Sequence, residues 1–143
     1  MRPGCFRITV TRDIATCQQL RRVVFIQEQG VSEADEVDGL DDTAIHLLAW
    51  DGDAPVGTAR LLLKGSLGKI GRVCVLPKAR GTGLGAELIR AALDVLRQQP
   101  GVTEAYLGSQ SHATGFYEKL GFALEGEEFL DAGIPHRHMR RAL

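Results

Sequence analysis

Residues 73–85, reading VCVLPKARGTGLG, constrain the fold more than any other part of the chain. An apolar run over 69–76 ends at Pro77, which has no N–H to give a sheet ladder, so the run reads as a strand with a hard stop. Glycines follow at 81, 83 and 85. Leu84, Leu88, Ala91, Ala92, Val95 and Leu96 then recur at helical spacing, which predicts a helix over 83–98, stopped by Pro100 and Gly101. Such a loop lets backbone N–H groups approach an anion without Cβ hindrance, and the helix aims its unpaired N–H groups and positive dipole end at the same point. Arg80 adds a cation. Together these make a cradle for a diphosphate. The plainer alternative is a Gly-rich helix entry with no ligand.

Around this segment the chain punctuates itself clearly. Alternation over 6–10 reads as a strand, and Asp13 can cap a helix running to Gln29, with Ile14, Cys17, Leu20 and Val24 on its apolar side and Gly30 ending it. Residues 31–43 are acidic and short of apolar side chains, which reads as a loop with at most one helical turn. Strands follow over 44–50 and 55–64, joined at Asp51-Gly52-Asp53, and the third begins after the Gly65–Gly68 turn. Beyond the long helix come a strand over 102–108, a short helix over 111–120, a strand from Phe122 and a last strand over 135–141. The order β-α-β-β-β-α-β-α-β-β favours an α/β (α+β) fold, with one mixed, largely antiparallel central sheet flanked by helices. No linker or repeat divides residues 1–143, which reads as one domain. An exposed edge on the last strand would offer a place for homodimer pairing.

Two rival phosphate motifs fail on context. Gly81-Thr82-Gly83-Leu84-Gly85-Ala86 satisfies the loose dinucleotide pattern, but three meandering strands stand where a βαβ unit belongs, and Glu104 opens the next strand instead of ending it. The stretch 65–70 suggests a nucleotide P-loop, yet Leu63 and Ile70 occupy positions that loop needs as Gly and Ser/Thr. The net charge of −1, with no block of like charges, argues against nucleic acid as a partner. No stretch approaches membrane-span length, residues 1–10 carry no signal-like apolar run, and Cys5, Cys17 and Cys74 lack metal or disulfide spacing. The expectation is a soluble cytoplasmic protein with reduced thiols, no membrane and no metal.

At Arg80, Gly83 and Gly85, preceded by Val73, Val75 and Pro77, the chain resembles the GNAT superfamily of acetyl-CoA-dependent N-acetyltransferases, whose loop pattern is Q/R-x-x-G-x-G/A. A second signature of that family, A-x-x-x-Y-E-K-x-G-F, is similar to residues 113–122 with Tyr117 in the tyrosine position. Val24-Phe25 with Glu28-Gln29, Glu36-Val37-Asp38-Gly39, Gly71-Arg72-Val73 and Ile134-Pro135-His136 resemble its ElaA-like branch. The resemblance implies acetyl-CoA as cosubstrate and a small-molecule or peptide amine as acceptor. It implies that main-chain groups of Val73, Cys74 and Val75 pair with the pantetheine arm like an added strand, one N–H polarising the thioester carbonyl. It further implies that Arg80, Gly81, Thr82, Gly83, Leu84 and Gly85 bind the diphosphate. Gln110 stands where many relatives carry Asn, as a cofactor contact.

The implied chemistry sets further requirements. An alkyl ammonium, with a pKa of about 10.4, must lose a proton before its nitrogen can attack a thioester. Donors must stabilise the oxyanion, and the departing thiolate needs a proton, which a tyrosine hydroxyl can give. Tyr117 is the expected acid, against the alternative of an amphipathic core tyrosine. Glu28 is the expected base, ahead of Glu33, Glu36 and Asp38, whose loop reads either as a solvated surface or as an anionic collar for a cationic amine. His46 reads as a core histidine and His112 as a cap or site residue. His136 and His138 share one strand face, a poor metal pair but a fair pocket wall. Cys74 reads as a buried hydrophobe, not an acyl carrier. An acyl-CoA-binding sensor without useful catalysis is the alternative function.

Overall fold

The computed structural model describes residues 6–143, so Cys5 and the start of the chain lie outside the described residues. Seven strands form one mixed sheet in the order β1-β2-β3-β4-β5-β7-β6. The strands are β1 (Arg7–Thr11), β2 (Ile45–Asp51), β3 (Ala54–Lys64), β4 (Leu67–Val75), β5 (Glu104–Gln110), β6 (Ala123–Asp131) and β7 (Ile134–Ala142). All neighbours are antiparallel except β4 and β5, which run parallel. That one parallel pair needs a crossover, and helix α3 (Leu84–Arg97) supplies it.

Period-two alternation divides the core between the faces of the sheet. On β2, Leu47 and Ala49 face α3, where Leu84, Leu88, Ile89, Ala92 and Leu96 are buried, while Leu48 faces the opposite layer with Cys17, Leu20 and Val24. That second layer is α1 (Ile14–Arg21), capped by the Asp13 carboxylate accepting from the Thr16 N–H. The predicted single helix to Gln29 changes register: residues Arg22–Glu28 are π-helical, with the Gln29 N–H reaching the Val24 carbonyl at 3.0 Å. Val24 stays in the core while Phe25 and Gln29 line the cleft described below. Gly30, at φ +73°, ends the element as expected.

Two readings need correction. The edge strand at the C-terminal end of the sheet is β6, not the last strand, because β7 inserts between β5 and β6. The acidic segment is also not uniformly solvated. Within α2 (Glu33–Glu36) and the turn at Asp41–Thr43, Glu36 is only 4% exposed and its carboxylate takes Nε and Nη2 of the fully buried Arg21 at 2.6 and 3.0 Å. Asp41 takes the third Arg21 bond at 2.8 Å and one from Arg60 at 3.1 Å. Asp38 takes Arg60 at 2.8 and 2.7 Å and Arg72 at 3.2 Å. Glu33, Asp35 and Asp42 remain exposed.

His46 is a buried, hydrogen-bonded core histidine, its Nε2 donating to the Asp41 carbonyl at 2.9 Å. Among the described residues, Cys17 and Cys74 are free and buried. No described helix is long and apolar enough to cross a membrane.

Removing one partner of a buried ion pair leaves the other charged and unsolvated, which costs several kcal/mol. Glu36→Gln is therefore expected to lower unfolding free energy by about 3 kcal/mol, measured by urea denaturation.

Candidate active site

The two parallel strands pair only over Leu67–Ile70 opposite Glu104–Leu107. Beyond Ile70 they part. β4 continues to pair with β3 up to Val75, and β5 continues to pair with β7 up to Gln110, so each keeps one satisfied edge and turns one bare edge to the gap. A bulge causes the parting. Against β3, Thr58 pairs with Cys74 but Arg60 pairs with Gly71, so β4 carries one extra residue there, and Arg72 sits at φ +51°. A bulged strand bends, and a non-glycine residue with positive φ has to be held there. The holding contacts run from Arg72 Nη2 to the Glu36 carbonyl at 3.2 Å and to the Asp38 carboxylate.

The gap opens into a cleft of about 340 Å³. Gly71, Arg72 and Val73 line it from β4, Leu107, Gly108 and Gln110 from β5. Tyr117 reaches it from α4 (Thr114–Glu118), with its ring set edge-on against Phe116 and Phe122 at 4.9 and 6.1 Å. Burial pushes the Tyr117 hydroxyl pKa up, so it stays protonated at neutral pH and can donate. The far wall comes from β6 and β7, where Phe129 stacks on His138 at 4.0 Å and lies 5.8 Å from His136. His138 is bonded in turn to the Tyr106 hydroxyl.

At one end of β4 stands the glycine loop. Gly81 and Gly83 take φ values of +75° and +85°, and Gly83 is the residue on which α3 begins. A Cβ at either position would meet no protein atom within 4 Å. Their glycine identity therefore answers to backbone conformation and an open approach, not to crowding by the fold. Thr82 closes the loop, its hydroxyl donating to the Ala79 carbonyl at 2.5 Å. The open loop, the helix N-terminus and the bare β4 edge leading to Tyr117 fit a molecule with an anionic head and an amide-bearing arm.

The expected site residues are not all engaged alike. Cys74 is 4% exposed and burial pushes its thiol up to about 12, so the thiol takes no part, and the residue pairs with Thr58 of β3. Glu28 does not line the cleft. It clasps Arg80 with both oxygens at 2.7 and 2.5 Å, and that hydrogen bonding lowers its pKa. Arg80 also donates through Nε to the Val75 carbonyl at 3.0 Å. Gln110 bridges to Gln29 at 3.2 Å, while its carbonyl accepts from His112 Nε2 at 2.7 Å. Sequence reasoning did not single out Arg72 as a cleft residue. The signal was its place in a strand, between Gly71 and Val73, just before a Gly-rich loop. Among the described residues no cluster of three metal-ligating side chains forms.

A sheet split beside a glycine loop defines the acyl-CoA acyltransferase class of fold, and comparison with known proteins agrees. Residues 17–143 match the family described as acetyltransferase (GNAT) domain, and the chain belongs to that family. It is an acyltransferase. The chain is 36% identical over 128 residues to ElaA of Escherichia coli (strain K12), covering 86% of this chain and 83% of that one. The crystal structure of E. coli ElaA superposes with a TM-score of 0.81 over 95% of this chain and 97% of that one. An acyl-CoA N-acyltransferase from Pseudomonas aeruginosa is 35% identical, with a TM-score of 0.84 over 96% of this chain and 98% of that one. A Bacillus subtilis acetyltransferase solved in complex with CoA shares the fold at 19% identity and a TM-score of 0.76, over 96% of this chain and 99% of that one.

The site's electrostatics carry a pH signature. Hydrogen bonds from Arg60 hold Asp38 down to about 2. Its folded pKa is depressed, so its stabilisation is present above the ordinary carboxylate range, near 4, and is lost as pH falls through about 2. Asp38→Asn is expected to be less stable at neutral pH and to lose less further stability across that window, as followed by urea denaturation at several pH values.

Proposed function

We propose that the chain transfers an acetyl group from acetyl-CoA to the nitrogen of a primary amine by direct attack in a ternary complex. The observation that carries the reading is the parting of β4 from β5 beyond Ile70, which leaves β4 from Gly71 to Val75 with no strand on its β5 side and Val73 lining the cleft. Val73, Cys74 and Val75 are the proposed pairing segment. An extended pantetheine arm carries amides at suitable intervals to act as that partner. Its diphosphate meets the N–H groups from Gly81, Thr82, Gly83, Leu84 and Gly85 at the start of α3 beside the Arg80 guanidinium, the Arg80 N–H being spent on the Pro77 carbonyl, and Gln110 contacts the arm from β5. A β4 N–H polarises the thioester carbonyl and stabilises the oxyanion. Tyr117 gives its proton to the departing sulfur.

In this reading Glu28 is first of all the counter-ion that orients Arg80 at the cofactor loop. A carboxylate engaged with a guanidinium through both oxygens, with its pKa lowered, is poorly suited to take a proton from an ammonium. The remaining proposals are a single catalytic domain, a cytoplasmic setting, a small-molecule or peptide amine as acceptor, and β6 as the edge on which any homodimer pairing would occur.

The test is a turnover assay with acetyl-CoA and a panel of spermidine, glucosamine, tyramine, lysine and a peptide with a free N-terminus. Acetylation of at least one is expected. Tyr117→Phe is expected to lower kcat about 10²-fold with little change in acetyl-CoA affinity. Glu28→Gln is expected to raise the KM for acetyl-CoA more than it lowers kcat, whereas the reverse would make Glu28 the base. Acetyl-CoA binding without turnover on any amine would instead make the chain an acyl-CoA-binding module.

A further inference from the structure

The acyltransferase reading leaves one task unassigned, removal of the ammonium proton, and the cleft narrows the choice. Glu36 is locked by Arg21, and Glu28 is held by Arg80 outside the cleft. Both ring nitrogens of His138 lie within reach of the Tyr106 hydroxyl, which can donate or accept and so fixes no tautomer, and His112 spends Nε2 on Gln110 without lining the cleft. His136 differs from all of these. Its Nδ1 lies 2.7 Å from the Ile134 carbonyl. A carbonyl only accepts, so Nδ1 must carry the hydrogen, and in the neutral ring the lone pair is then on Nε2. Among the described residues nothing bonds Nε2, and the ring lines the cleft.

From this we infer that His136 Nε2 is the general base that deprotonates the acceptor amine. The inference rests on the acetyl-transfer reading and adds a residue to it. Position supports the role. His136 pairs across the sheet with Gln110, the last residue of β5, so it stands at the open end of the same gap whose other wall is β4. Phe129 packs at 5.8 Å and limits how the ring can turn. Asp131 on β6 and Asp35 on α2 are the exposed carboxylates of the cleft, and both favour an approaching cation. Lys69 and Arg72 line the cleft from β4, and Glu36, which also lines it, is neutralised by Arg21. An imidazole is matched to neutral pH as a base where a carboxylate ordinarily is not.

The step balances. The ammonium gives one proton to His136 Nε2, which later releases it to solvent. The free amine attacks the thioester carbon, forming the C–N bond, and the C–S bond breaks. The thiolate takes the Tyr117 proton, and the second proton leaving nitrogen restores Tyr117 through water. The sum is ammonium plus acetyl-CoA giving amide, CoA thiol and one proton.

The experiment compares wild type with His136→Gln and His136→Asn, using the best amine of the panel above and acetyl-CoA titration by calorimetry. The expected result is acetyl-CoA affinity within about twofold of wild type and a kcat/KM for the amine lower by about 10²-fold. The acid limb of the pH profile is expected to vanish, with part of the rate restored by added imidazole. Two amines of different basicity separate the limbs, because the limb that moves with the amine belongs to the substrate and the shared one to the enzyme. Rates within threefold of wild type with the shared limb intact would overturn the assignment and leave acetyl transfer standing. If neither variant binds acetyl-CoA, the wild-type profile decides, and absence of a shared acid limb overturns it. A wild type that binds acetyl-CoA but acetylates no amine removes the acetyl-transfer reading itself, and this assignment with it.

Discussion

Arg72 has a positive φ in the middle of a strand, and its guanidinium is held by groups from a distant loop, the Glu36 carbonyl and the Asp38 carboxylate. A lone residue in that conformation costs about 1–2 kcal/mol, so surrounding contacts must fix it. They do so through a shared network. Asp38 also binds Arg60, Arg60 binds Asp41, and Asp41 and Glu36 both bind Arg21 from the first helix. Three arginines and three carboxylates therefore tie the acidic loop, the first helix and two central strands to one point. That point is the bulge at which β4 leaves β5. The cleft, the bare strand edge and the approach to Tyr117 all follow from it.

The same network sets the polarity of the site. Glu36, Asp38 and Asp41 are balanced one for one by Arg21, Arg60 and Arg72, so the loop does not act as a ring of free negative charge. Burial acts against ionisation of Asp41, yet hydrogen bonds from Arg21, Gln18 and Arg60 hold it below the usual carboxylate range. Burial, joined by repulsion from Arg60, draws Arg72 below the usual arginine value, and attraction to Asp38 and Glu36 opposes this. Exposed carboxylates remain at Asp35 and Asp131, along the cleft's outer part. The result is a rigid, neutralised frame beneath a cleft whose rim alone carries free acid groups.

Much of this was legible in the residues, for identifiable reasons. Pro77, the glycines at 81 and 83 and the stripe from Leu84 to Leu96 act locally, and the structure places a strand end, two left-handed turns and the long helix there. The resemblance to the GNAT family rested on the loop at Arg80, Gly83 and Gly85 after Val73, Val75 and Pro77 and on residues 113–122 with Tyr117, and the chain belongs to that family. What could not be read depends on long-range pairing. The charges of residues 33–42 look alike in sequence, and only the contacts to Arg21, Arg60 and Arg72, 15 to 34 positions away, separate Glu36, Asp38 and Asp41 from the rest. The insertion of β7 between β5 and β6 is likewise a matter of topology, invisible to strand-by-strand alternation. The tautomer of His136 needed the Ile134 carbonyl to be placed in space.

The central claim is that β4 beyond its bulge has no strand on its β5 side and that the pantetheine arm takes that place. Backbone amide hydrogen exchange over residues 71–76, with and without acetyl-CoA, addresses it directly. The account predicts that exchange at Val73, Cys74 or Val75 slows strongly on binding, together with that of the loop at residues 81–85. Protection confined to the glycine loop, with residues 73–75 exchanging as fast as in the free protein, would contradict it.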